Sequence, residues 1–192
     1  MTVRILIAFL LLFKIGYSQI LTADAMKVKT AFDNLSADTN SKKLQEDYIA
    51  AFPSDSNSFL KIFGPEKFDQ LYSESYKYLE ALEKCAATFP IEVINKCIDI
   101  GKDLGWDADA VGQLQQMSVD LAIKCTTVFV SKYKTLEGKE QNNLINFYAD
   151  VENHNAYPEY QELINKLNSI GEKDIAKKLE IARTIRMNRH DH

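Results

Sequence analysis

The chain is short of residues that interrupt helices, with 7 glycines and 4 prolines among 192 residues. That scarcity excludes collagen-like and low-complexity classes and suits long helices joined by short loops. Strand patterning is missing as well: no run alternates apolar and polar positions with β-branched enrichment. Only 3 histidines and 3 cysteines are present. No zinc spacing, Gly-rich phosphate loop, G-x-S-x-G elbow or H-E-x-x-H string occurs. The motifs therefore predict no metal site, no cofactor and no catalytic residue. Beyond the amino terminus no apolar run approaches the roughly 20 residues that span a bilayer, so no stable membrane span is expected. Basic charge is not in excess either, with 27 acidic residues against 23 basic and a formal net charge of −4. Phosphate backbones demand clustered Lys and Arg, so nucleic acid is not an expected partner.

What is present begins at the amino terminus. Arg4 supplies a positive charge, Ile5 to Phe13 is unbroken apolar sequence, and Gly16-Tyr17-Ser18 places small residues before Gln19. Charge, short apolar core and small-x-small form a secretory signal, with cleavage predicted between Ser18 and Gln19. Residues 1–18 read as signal peptide and 19–192 as one helical domain. The segment removed carries Arg4 and Lys14 and no acid, so the mature chain is more acidic than the whole. A lipoprotein would place Cys after the cut, where this chain has Gln19. The expected product is exported, periplasmic or extracellular, and untethered.

Apolar spacing at three and four residues predicts helices over 23–35, 42–52 and 66–88, with a short one ending at Phe63. Further helices are expected over 90–101, from Asp107 to about Tyr133, and over 136–151, 159–170 and 173–189. Pro53, Gly64-Pro65, Gly101 and Gly171 punctuate them. The fold class is all-α: a single-domain multi-helix bundle.

Three cysteines in an oxidising compartment make one disulfide and one spare thiol the arithmetic expectation. Cys85 precedes a helix end and Cys97 lies about two turns into the next helix. In an antiparallel hairpin those positions approach the same height, so Cys85–Cys97 is the expected pair. The other reading is three buried small hydrophobes.

Three further groups are candidate binding residues. Gly105-Trp106-Asp107-Ala108-Asp109-Ala110-Val111-Gly112 has an Asp-x-Asp-x-x-Gly order. As a calcium loop it fails, because Val111 and Ser118 stand where oxygen ligands belong. Asp107 reads as an N-cap, Asp109 as a complement to the helix dipole and Trp106 as a staple. Asp99 and Asp103, just upstream, leave an acidic cation pocket open. The loop around His154 gathers Asp150, Glu152, Tyr157, Glu159 and Tyr160, which reads either as a composition that could meet a sugar or as a solvated loop tip with its tyrosines folded onto the bundle. Arg183, Arg186 and Arg189 recur every third residue near the carboxy terminus. They either answer the helix dipole or present a docking face to a partner.

Two strings carry a resemblance. Phe52-Pro53-Ser54-Asp55 with Phe59 and Phe63-Gly64, together with Trp106-Asp107-Ala108-Asp109-Ala110-Val111-Gly112, resemble a group of small, signal-bearing, helical bacterial proteins of unassigned function. The resemblance implies an exported helical fold and brings no catalytic residue, cofactor or substrate; the cysteines are not among the residues that carry it. The functional expectation is a non-enzymatic exported protein that binds another protein, in its most concrete form an immunity-type protein against a toxin of the cell envelope. The alternative is an envelope enzyme or ligand-binding protein for glycans or small molecules.

Overall fold

Several helices begin where the sequence supplies a side-chain oxygen for an orphan backbone donor. In the computed structural model, which describes residues 21–65, 70–105, 110–150 and 158–190 with side chains to 187, Thr22 Oγ1 accepts from the Ala25 N–H at 3.3 Å. Ser41 Oγ accepts from Leu44 at 3.4 Å and Asp55 Oδ1 from Ser58 at 2.9 Å. Glu137 and Glu140 form a reciprocal capping box. The helices are α1 (Ala23–Ala37), α2 (Lys42–Ala51), α3 (Ser56–Phe63), α4 (Ser75–Cys85), α5 (Pro90–Gly101), α6 (Ala110–Lys124), α7 (Thr126–Thr135), α8 (Gly138–Ala149), α9 (Pro158–Ser169) and α10 (Lys173–His190). No strand occurs among the described residues. The protein is an all-α multi-helix bundle.

Stops follow the same local chemistry. Pro90 occupies the first turn of α5, where its missing N–H is not needed. Gly171 adopts φ +87° after α9. There its N–H reaches the Asn168 carbonyl at 3.1 Å and the Glu172 N–H reaches Leu167 at 2.9 Å. That pair of bonds is a Schellman stop, which needs a left-handed residue and therefore favours glycine.

The helix α6 is the centre. It packs against α4, α5, α7, α8 and α9. Val111, Leu114, Met117, Val119, Leu121, Ala122 and Ile123 are all buried, which is more than one face of a helix. Two polar residues share that burial. Gln115 Nε2 donates to the Phe147 carbonyl at 2.9 Å, and Ser118 Oγ to Leu114 at 2.6 Å. The amino-terminal helices α1 to α4 enclose an aromatic cluster. In it Phe52 stacks on Phe63 at 5.5 Å and Phe32 meets Tyr78 at 4.6 Å. Lys96 on α5 donates to the Phe52 carbonyl at 2.8 Å, placing a cation at the carboxy end of α2.

Two expected helices differ from their expected extents. The stretch read as one helix to Tyr133 breaks at Cys125, which takes φ −121° and ψ 44°. Thr126, Thr127 and Val128 follow as a β-branched run, and Thr126 Oγ1 donates to the Ile123 carbonyl at 2.9 Å, competing with the backbone ladder. Of the helix expected over 66–88, residues 66–69 lie outside the described ones, and the described part is a 3₁₀ turn at Tyr72–Glu74 followed by α4 from Ser75 to Cys85. Leu71 is turned back toward α3, its N–H on the Ile62 carbonyl at 3.0 Å.

The expected Cys85–Cys97 bridge is not formed, and all three cysteines are free thiols. The two sulfurs look into different surroundings. Cys85 neighbours Tyr48 and lines a cleft between α1 and α4. Cys97 meets Ser118 on α6 and Tyr148 on α8. Equal height along a hairpin is not enough when the side chains leave on different faces.

Two outcomes test this packing. A methyl added at Gly101 would lie 2.6 Å from the Phe147 ring. Gly101→Ala is therefore expected to destabilise by about 1–3 kcal/mol in chemical denaturation, as overpacking does. Asp55→Ala should cost about 1 kcal/mol at neutral pH through the lost cap. Hydrogen bonds from Ser58 hold the Asp55 carboxyl below its usual range. Its contribution is therefore present above the ordinary carboxylate pKa and is lost as pH falls through the lowered folded value. Wild type and variant should converge in acid, which urea titrations across pH would read.

Candidate functional site

Two of the residues singled out near the carboxy terminus, Asp150 and Arg186, meet at one corner of the bundle. Helix α8 ends at Ala149, so Asp150 sits at its C-cap position. Helix α10 crosses α8 and α9 and carries Arg186 over that end. The Arg186 Nη2 lies 3.1 Å from Asp150 Oδ2, with the carboxylate almost fully enclosed. Asp103, Gly105, Asn143 and Asn146 complete a shallow polar cleft of about 220 Å³ around the pair. A charged hydrogen bond between partners far apart in sequence thus fastens the last helix to the bundle.

Trp106, Asp109, Glu152 and Tyr157 lie outside the described residues, as do the expected signal peptide at 1–18 and His154. Gly105 and Asp150, which immediately precede residues 106–109 and 151–157, both line the polar cleft. Tyr160 is in the core. Its hydroxyl donates to the Leu179 carbonyl at 2.9 Å, so it is a strut between α9 and α10 rather than a face for a sugar.

The arginine stripe divides. Arg183 lies over the Tyr160 ring, 5.4 Å from its centroid, and donates to Gln161 Oε1 at 3.2 Å. Arg186 belongs to Asp150 as described. The backbone of Arg189 continues α10, and its side chain lies outside the described residues. Arg183 and Arg186 thus serve contacts between α10 and its neighbours. Their three-residue spacing carries each toward α8 or α9.

Sequence reasoning missed the outward side of the same helix. Ile175, Ala176, Leu179 and Ala182 are buried against the bundle, while Ile181 and Ile185 stay 50% and 48% exposed. They stand one turn apart and share a face. The signal was available: apolar residues are spread around α10 instead of forming one stripe.

The titratable groups of the interior are quiet. Burial pushes the Cys85 thiol up to about 11 and Cys97 up to about 12. Both are protonated at neutral pH, and a neutral thiol is a poor nucleophile. In the acidic corner, Lys132 Nζ meets Asp99 at 3.0 Å. Among the described residues no group of three or more His, Cys, Asp or Glu is placed to hold a metal ion. No described helix is long and apolar enough to cross a membrane.

Comparison with protein-family models, curated proteins and solved structures finds no match for this chain.

The Asp150–Arg186 contact can be weighed by a double-mutant cycle. Arg186→Met strips the cation from an enclosed carboxylate and should destabilise by about 1–3 kcal/mol. Replacing Asp150 by Asn in that background should recover part of the loss, giving a coupling of at least about 0.5 kcal/mol. Strict additivity in denaturant titrations would show that the pair does not fasten α10.

Proposed function

We propose that this chain is a non-enzymatic, exported helical protein that binds another protein, and that the outward face of α10 is where the partner docks. The carrying observation is the pair Ile181 and Ile185, exposed one turn apart on a helix whose opposite side is fully employed in packing. Aliphatic side chains are withdrawn from water when a partner covers them, and that burial drives association.

The export signal supports a site of action in the periplasm or outside the cell, with Gln19 as the first mature residue. An immunity-type role fits this reading. The overall charge is acidic, so approach to a basic toxin would be accelerated and salt-sensitive. A second reading is favoured by the polar cleft at Asp150, whose Asn143, Asn146 and Asp103 are side chains suited to glycan hydroxyls. In that case the activity or binding, and not the fold, would respond to Asn143→Ala.

The deciding experiment uses the mature chain, Gln19 to His192, as bait in an envelope extract at low salt, read by mass spectrometry. One dominant partner is expected, released at high salt. It should be lost on the double change Ile181→Lys and Ile185→Lys. It should survive Ile91→Lys, a control at an equally exposed isoleucine on α5. Capture that ignores the α10 change, with both variants folded by circular dichroism, would overturn the assignment of this face.

A further inference from the structure

A second cleft lies away from α10, between α1, the start of α2 and α4. Phe32, Leu35, Ala81 and Cys85 form its apolar side, and it encloses about 490 Å³. That size falls in the range of small-molecule sites, which are mostly apolar with a few placed polar groups. The cations at its mouth are already matched. Lys77 pairs with Glu74, and Lys84 Nζ lies 2.9 Å from Glu80. Nothing at the rim therefore calls for an ionic ligand.

One polar group in the wall is not matched. Gln45 is 8% exposed and lines the cleft. Its Nε2 donates to the Thr39 carbonyl at 2.7 Å, which settles which end of the amide is which. Its Oε1 is shielded from solvent and has no hydrogen-bond partner, alone among the buried side-chain oxygens and nitrogens of the described residues. An enclosed acceptor left unpaired is costly, and native structures keep few of them. The amide nitrogen serves the Thr39 carbonyl, and the oxygen is left as the one acceptor still to be met.

We propose that this cleft binds a small, largely apolar, uncharged molecule with one hydrogen-bond donor, a hydroxyl or an amide N–H, which donates to Gln45 Oε1. The apolar body lies on Phe32, Leu35 and Ala81. Because the acceptor is sealed from water, the wall must yield slightly to admit the donor, so binding adjusts the cleft as well as filling it. The paired rim disfavours a carboxylate or ammonium, and the neutral Cys85 thiol adds polarizable surface without charge.

The test uses two probes of equal size, n-octanol and heptyl methyl ether, titrated into the full mature chain and followed by amide chemical shifts. Octanol should saturate with shifts at Phe32, Gln45 and Ala81, and the ether, which has no donor, should bind about tenfold more weakly, a difference of about 1.4 kcal/mol. Gln45→Leu should erase that preference. Should Gln45→Leu fold poorly, Ala81→Phe, on a half-buried wall position, should fill the cleft and abolish octanol binding while leaving the helical signal intact. Capture of a protein partner through α10 should be unchanged in either variant, so the two sites are read separately. Absence of saturable binding by either probe, or equal affinity for both, would overturn the proposal and assign Gln45 Oε1 to an ordered water only.

Discussion

The constraint on which this structure depends is the burial of α6 over most of its surface. Five other helices lean on it, so only a narrow stripe at Gln113, Gln116, Asp120 and Lys124 reaches solvent, less than the polar face of an ordinary surface helix. Its two buried polar side chains must find partners inside the protein, because a buried polar group without one is costly. Gln115 and Ser118 do so at backbone carbonyls, one on α8 and one a turn back on α6 itself. The close approach of α5 to α8 at Gly101, against the Phe147 ring, belongs to the same layer.

Three buried tyrosines extend that logic outward. Tyr48 donates to the Tyr78 carbonyl at 2.6 Å, Tyr148 to Ser118 at 3.3 Å and Tyr160 to Leu179 at 2.9 Å. Each hydroxyl sits on one helix and its acceptor on another. The ring supplies apolar area and the hydroxyl a directional tie, so packing and register are set by one side chain. Burial pushes all three phenols up from their ordinary range, keeping the donors protonated at any physiological pH.

With the interior so fully matched, the unmatched features stand out. The aliphatic pair on α10 and the orphan acceptor beside the α1–α4 cleft are of different kinds, one an exposed apolar area and the other an enclosed polar atom. They lie on separate elements and call for different occupants. The charged residues that seemed most informative in the sequence are largely occupied. Arg186 is engaged with Asp150, Arg183 with Tyr160 and Gln161, and Asp99 with Lys132.

Local signals were legible wherever the cause is local. The proline start of α5 and the glycine stop at Gly171 act within one turn, so those helix ends followed from the residues alone. The break at Cys125 was also written there, in Thr126-Thr127-Val128, but apolar spacing outweighed it. The all-helical class, the absence of strand pattern and the apolar richness of α6 likewise came from sequence, because periodicity and turn chemistry need no distant neighbour. Which faces meet was decided only by tertiary packing. Cys85 and Cys97 turn to different neighbours, Asp150 finds Arg186, Tyr160 goes inward, and Gln45 ends with an oxygen that nothing meets. Each of those outcomes depends on helix rotation about its axis and on partners far away in the chain, and a linear sequence records neither.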